Sequence, residues 1–497
     1  VASPPEFPAG LPLDRRLREA LAGCCAEGEA YFVGGMVRDL LLGRPTADYD
    51  LVLAGDPRAA ARCLADRLQA SSFPLDRERG IWRVVGNGFQ IDLERLAEGG
   101  LAADLARRDL TINAIALALE GNRLIDPHGG LADLRNGVLR AVGGGSFAAD
   151  PLRVVRVARF ACELGFAVEE QTAALARRAA PALAGVAPER ILAELARIFS
   201  SPDPAGGFRI LSRLEADRQI LPELLAERGV EQNPYHHLDV YNHTLECLAY
   251  AAALRAALRE GRSTELPGSG ELEAFLAAID DHRAALVEAL SGRVAEGFDR
   301  FGALCFGALL HDVAKPLTKT AGPRGWPAFP AHDRLGARVA REVVARLRGS
   351  ARLREHLGGL VAHHLRLGFL LHEEEPLAPR TRYAYLRRCE PVGLDVTLLS
   401  VADRLATRGR NHERAIADHL ALAAALLPHA LAYDREGPPP PPLRGDRLAQ
   451  ALGIEPGPLL GELLEELRAA RYAGEVRDAA GAVAHARAVL ARRERGA

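Results

Sequence analysis

Lysine is nearly missing from this 497-residue chain: it occurs only at Lys315 and Lys319, and every other basic side chain except histidine is arginine. Spread over the whole chain, that skew reflects genome composition rather than function. The formal net charge of −2 excludes a bulk polycation. It does not exclude nucleic acid, whose binding needs only a local basic stripe. The seven cysteines are an odd number with no CxxC pair, so unpaired thiols in a reducing cytoplasm are expected. No apolar run reaches the roughly 18 residues of a membrane span, and the longest, such as Leu420–Leu427, are interrupted early. No membrane and no protein partner is expected. The opening VASPPEFPAG has no basic segment followed by an apolar one, so no secretory signal is visible, and without an initiator Met a trimmed start is expected. What is present is ordinary: 48% apolar and 26% charged residues, enough chain for roughly three domains of about 150 residues.

Residues 12–26 read as an amphipathic helix. Glu29–Val33 reads as a strand entering the Gly34-Gly35 turn, Met36–Leu42 as a helix and Tyr49–Leu53 as the next strand. Ile81–Val85 and Phe89–Leu93 flank Asn87-Gly88, a hairpin signal. From about Asp150 the pattern turns helical to the C-terminus. It is punctuated at 200–207, 261–270 and 322–330, and by the GPPPPP run at 437–442, expected to be an extended polyproline linker.

Asp48 and Asp50 lie two apart on a strand, so their carboxylates leave one face and suit hard cations such as Mg²⁺. Gly34 and Gly35, between a strand and a helix, let a phosphate approach backbone N–H groups, and Arg38 stands one turn on. Asp92 shares a strand face with Gln90 and Glu94. It is a candidate third carboxylate and base, although alternation alone makes it equally a hairpin surface residue.

These residues carry a resemblance. GGMVRDLLLG followed by DYD resembles the signature of the class II tRNA nucleotidyltransferase and bacterial poly(A) polymerase family, within the polymerase-β-like superfamily. ARRDLTINAIAL (106–117), IDPHGGLADLRNGVLRAV (125–142) and DPLRVVRVARFACELGF (150–166) resemble three further motifs of that family, in the same order. The resemblance implies catalytic metals on Asp48 and Asp50, phosphate contacts from Gly35 and Arg38, and triphosphate and sugar contacts from Arg108 and Asp109 with Asn113 nearby. It also implies a neck helix beginning at Asp150, with Pro151 in its first turn, on which Asp150 and Arg153 select C and A without a template and Arg156 and Arg159 support them. Read alone, the three arginines are a solvated stripe. The family often has Glu where Ala149 stands, which weakens the bracing of Arg153. The short ERLAEGGLAADLA stretch before the RRD motif resembles CC-adding members and puts the terminal A step in doubt.

A second set of residues is scattered over the helical part. His311-Asp312 after an apolar helix resembles the HD phosphohydrolase superfamily, whose H…HD…D pattern implies His243, His311, Asp312 and Asp403 as ligands of a divalent metal. His332, His363 and His364 extend the set toward two metals. His236, His237, His372, His412, His419 and His429 read as core or surface histidines, and an HD domain with a structural role alone is the middle alternative. In the tail, Arg468 and Arg471 suit RNA phosphates, and plain helix packing explains the segment equally well.

The expected fold class is α+β: a polymerase-β-like nucleotidyltransferase head followed by an all-helical neck, HD body and tail. The expected divisions are an N-terminal helix (1–28), head (29–143), neck (144–205), HD body (206–436), linker (437–442) and tail (443–497). The expected function is template-independent addition of C and/or A from CTP and ATP to the tRNA 3′ end. A poly(A) polymerase or a CC-adding enzyme is the near alternative, and an HD phosphohydrolase with a non-catalytic RNA-holding head is the distant one.

Overall fold

In the computed structural model, which describes residues 15–25, 29–121, 123–262, 266–295, 297–373 and 376–496, Asn87-Gly88 closes a two-residue hairpin turn with Gly88 at φ +82°. It joins β4 (Ile81–Gly86) to β5 (Phe89–Arg95). Strand alternation follows: Ile91 and Leu93 are fully buried, while Asp92 points to the other face. The remaining strands are β1 (Ala30–Val33), β2 (Asp48–Leu53), β3 (Ser71–Asp76), β6 (Ala116–Ala118) and β7 (Leu124–Ile125). They form one sheet in the order β3-β4-β5-β2-β1-β6-β7, with β2 and β5 parallel and every other pair antiparallel. β1 is buried along its whole length and delivers the chain to Gly34, at φ +75°, before the helix Gly35–Leu41. β3 (SSFPLD) carries no strand pattern in sequence. It survives because it is an edge strand, where Pro74 needs no second ladder partner.

The N-terminal helix is Arg15–Cys24; residues 12–14 and 26 of the expected helix lie outside the described residues. Cys24 is disulfide-bonded to Cys63 of the helix Pro57–Leu68, with Cα atoms 5.7 Å apart. This corrects the expectation of unpaired thiols throughout. An odd count without a CxxC says nothing about two cysteines on separate helices that pack together. The other five cysteines are buried thiols.

The neck helix is Arg153–Leu164. Asp150, expected to begin it, is extended, and its carboxylate accepts the Leu152 N–H at 3.2 Å, so the turn Asp150–Leu152 precedes the helix. The chain forms two compact units, 1–186 with 206–220, and 187–205 with 221–497. The second unit is built around the helix Arg300–Leu310, in which every residue from Phe301 to Leu310 is buried. Its helix His412–Glu436 is long and apolar enough to cross a membrane by length and composition, yet Ile416, Leu420, Leu427 and Ala430 are buried in the manner of a core helix. The tail helices Gly445–Leu452, Pro458–Tyr472 and Ala479–Gly496 share a small core of Leu448, Leu463, Leu467 and Val476. Arg380 clamps them by bonds to Glu466 and Glu475 at 2.8 and 2.7 Å. Residues 437–442 form neither helix nor strand.

The IDPHGG segment has a steric reason. Both oxygens of Asp126 accept backbone N–H groups, from Gly130 and Leu131. A Cβ on Gly130 would stand 2.2 Å from the Thr111 carbonyl oxygen, inside the RRDLTIN segment. Gly129 has φ +76° but open space around it. Gly129→Ala is therefore expected to cost about 1 kcal/mol. Gly130→Ala is expected to cost about 3 kcal/mol, because backbone must move. Thermal melts of the two variants check the order.

Candidate active sites in the head and the helical body

β2 pairs with β5 so that Asp50 lies directly beside Asp92, and both share a sheet face with Asp48. The sequence thus brings three carboxylates together. Asp48 and Asp50 are exposed. The protein around Asp50 displaces enough water to raise its pKa, and the charge of Asp92 adds to this. The nearby Arg108 offsets only part, and the value settles at about 6. Asp92 is held differently. Arg83, directly opposite it on β4, donates two hydrogen bonds of 2.7 Å to its two oxygens. Sequence reasoning missed Arg83, although a two-residue turn at Asn87-Gly88 places position 83 opposite 92.

The glycine turn meets this site. A Cβ on Gly34 would lie 2.9 Å from Arg108 Nη1 and 3.3 Å from Asp50 Oδ2, so glycine lets both groups approach the backbone. Gly35 faces the Arg38 guanidinium. Asp104, buried and also missed, holds Arg108 at 3.0 Å. A continuous chain of hydrogen bonds then runs toward the neck helix. Arg38 donates to Asn113 Oδ1 (2.7 Å), Asn113 donates to Asp109 Oδ1 (2.9 Å), and Arg156 donates to Asp109 Oδ2 (2.8 Å). Burial opposes ionisation of Asp109, but Arg156, Asn113 and the Leu110 N–H together hold its pKa below the ordinary value. Arg38, Arg156 and the buried Arg159 also gather over the Phe160 ring at 4.9, 5.4 and 4.1 Å, which makes Phe160 an unforeseen hub. Arg153, without a glutamate at 149, is braced by carbonyls instead: it donates to Arg107, Arg108 and Ser146 oxygens at 2.7, 3.3 and 3.1 Å.

In the helical body His243, His311 and Asp312 converge, as do Asp312, His332 and His364, so Asp312 serves both groups. His243 Nε2 lies 3.1 Å from Asp403 Oδ1 and 3.6 Å from Asp312 Oδ2. His311 Nε2 lies 3.1 Å from Asp312 Oδ2. His332 Nε2 lies 3.4 Å from Asp312 Oδ1 and 3.3 Å from His364 Nε2. His311, His332 and His364 each place Nδ1 at 2.7–2.8 Å from the carbonyl of the residue three before it, which aims Nε2 inward. His243 Nε2, His311 Nε2 and Asp312 Oδ2 are all buried and turned toward one another, with Asp403 and Lys315 at their edge.

His363, expected as a ligand, is a correction. It is only half-buried and sits among Arg366, Arg388 and Asp333, because successive helical residues point about 100° apart and only His364 faces the cluster. His236, read as structural, has its ring 5.1 Å from that of His243, at the cluster's edge. Lys315 was missed: its Nζ lies 2.6 Å from Asp312 Oδ2 and 2.7 Å from Gln232 Oε1. Burial alone would lower the His311 pKa, but Asp312 and Asp403 overcome it and raise it to about 9. For His364 burial wins, helped by His311, and its pKa falls to about 4. Asp312 stays ionised despite burial because His311 and Lys315 flank it.

Residues 30–140 match the poly A polymerase head domain, 165–227 the probable RNA and SrmB-binding site of polymerase A, and 240–408 the HD domain. An A-adding tRNA nucleotidyltransferase of Deinococcus radiodurans is 36% identical, over 90% of this chain and 92% of its own. The chain belongs to the tRNA nucleotidyltransferase and poly(A) polymerase family. A CC-adding tRNA nucleotidyltransferase of Thermus thermophilus is 35% identical over 90% of this chain and 91% of its own. The Thermotoga maritima CCA-adding enzyme complexed with tRNA shares the fold of this nucleotidyltransferase, with a TM-score of 0.57 at 22% identity over 96% of each chain.

Two outcomes follow from the electrostatics. The folded pKa of Asp50 lies above its unfolded value, so its contribution to stability is full at acid pH and is lost as pH rises through about 6. In metal-free buffer at pH 7.5, Asp50→Asn is expected to stabilise the protein by about 1 kcal/mol after solvent screening, read by denaturant melts at several pH values. In the body, His311 must lose its proton to ligate. Adding a divalent transition metal at pH 7.5 is expected to release about one proton per metal bound in weak buffer, and Asp312→Ala is expected to abolish both binding and release.

Proposed function

We propose that the head transfers CMP and/or AMP from CTP or ATP to the 3′ end of tRNA, with Mg²⁺ as its metal. The carrying observation is the exposed Asp48 and Asp50 pair in register with Asp92, beside the Gly34 turn and Arg108. A half-hydrated, all-carboxylate donor set whose charges repel one another suits a hard dication. When bound, Mg²⁺ supplies the Lewis acidity that activates the 3′ hydroxyl and neutralises the triphosphate. Gly34 and Gly35 leave room for phosphate oxygens, and Arg38 and Arg108 face them. Asp92 is assigned as the third carboxylate and base, and Arg83, bonded to both its oxygens, fixes its orientation. Asp109 has both oxygens occupied by donors, so its role is to hold Arg156 and Asn113 in place rather than to touch the sugar. Asp150 and Arg153 are assigned to reading the base. In-line displacement at the α-phosphorus then releases pyrophosphate, with the protein supplying positioning and charge. The relatives named A-adding and CC-adding support partial addition as much as the full sequence.

The resemblance to the HD superfamily implies a second, hydrolytic activity on 2′,3′-cyclic phosphates and 2′-phosphates, and the buried cluster supports a metal site for it. Four imidazoles and two carboxylates converging in a buried cluster suit one or two divalent transition metals. Purified protein is to be incubated with tRNAs ending before C, after one C and after both, with each nucleoside triphosphate. Asp48→Ala and Asp50→Ala are expected to reduce transfer at least a thousandfold while leaving metal-dependent hydrolysis intact. Transfer to none of the tRNAs by wild type overturns the reading.

A further inference from the structure

Among the described residues six large apolar side chains are exposed: Phe73, Leu75, Val85, Tyr235, Leu317 and Phe369. Three of them fall on two neighbouring strands of the head. The register places them. Asp50 pairs with Asp92, Asp92 with Arg83, and Arg83 with Phe73, so one row crosses β2, β5, β4 and β3 on a single face. The adjacent row runs Asp48, Gln90, Val85, Ser71. Leu75, two beyond Phe73 at the bulge between Pro74 and Asp76, is 44% exposed. The carboxylate site therefore continues into an apolar strip toward the sheet edge. Three interstrand steps of about 4.8 Å put Phe73 roughly 14 Å from Asp50.

We propose that Phe73, Leu75 and Val85 form a platform on which the unpaired bases at the 3′ end of the RNA acceptor stack, roughly two to four nucleotides back from the attacking hydroxyl. The inference rests on the transfer reading above. The occupant follows from continuity. A chain that presents a hydroxyl at Asp48 and Asp50 can continue along this face, where Asp92 is neutralised by Arg83 and the apolar strip beyond it offers surface to bases rather than to phosphates. A second copy of the chain adding to the sheet edge fits less well. Pro74 removes an N–H from β3, and the register shifts between Pro74 and Asp76, which spoils the edge for strand addition. Phe73 and Leu75 are positioning residues that orient the acceptor.

The test is steady-state transfer by full-length wild type, Phe73→Ala, Leu75→Ser and Phe73→Trp, with a tRNA that wild type extends. The alanine variant is expected to raise KM for tRNA roughly tenfold and Phe73→Trp to restore it. KM for the nucleotide and the melting temperature stay at wild-type values. The slope of log KM against log salt is expected to be unchanged, since no phosphate contact is lost. An abasic nucleotide at the third position from the acceptor's 3′ end is expected to penalise wild type and not Phe73→Ala. A wild-type KM for tRNA in Phe73→Ala overturns the platform, as does a change confined to self-association in sedimentation. Absence of transfer by wild type instead sinks the underlying function.

Discussion

A buried carboxylate that stays ionised holds the head to its neck helix. Asp109 lies out of water, and desolvation alone would protonate it. It accepts from Asn113, from the Leu110 backbone and from Arg156, and those donors decide the balance. Removing Arg156, whose side chain is partly open to solvent, leaves the buried Asp109 charge with fewer donors, at a cost below that of a fully buried pair. The bond from Asn113 to Asp109 also closes the path to Arg38, so the glycine turn, the RRD segment and the neck helix answer to a single charge balance.

The two candidate sites use opposite electrostatic strategies. In the head, acids are crowded on an exposed strand face with too few cations, and Asp50 is pushed up toward neutrality. A dication and a triphosphate would supply the positive charge and the ligands that such a face lacks. In the body, Asp312 is sunk among imidazoles and Lys315 and held well down. That site is saturated with potential donors, as suits a metal that stays. The contrast follows from burial: an open site can wait for charge from solution, whereas a closed one must supply its own.

Much of this was legible before any coordinates. Period-2 alternation around Asn87-Gly88 correctly separated Ile91 and Leu93 from Asp92, because a two-residue turn leaves little freedom in register. That Asp48 and Asp50 share a strand face with Asp92, and that His243, His311 and Asp312 converge, was legible because metal chemistry restricts the residue types to look for. What escaped was long-range or lacked a pattern. β3 escaped because SSFPLD has poor strand propensity and is held only by β4. The choice of His364 over His363 turns on helix phase, which adjacent letters do not reveal. Cys24 and Cys63 required knowing that two helices pack together.

Compositional bias sharpens what remains. In a chain that writes nearly every basic residue as arginine, a lysine at a buried position invites the question why a planar guanidinium does not stand there. Lys315 is buried, its ammonium set between Asp312 and Gln232, where a compact point charge fits and a five-donor fork would leave N–H groups unsatisfied. Lys319, four residues on, is exposed and carries no such constraint. Taken across the whole chain, scarcity of lysine is background. Taken at one position, three residues after Asp312, the exception to that background is information about the site.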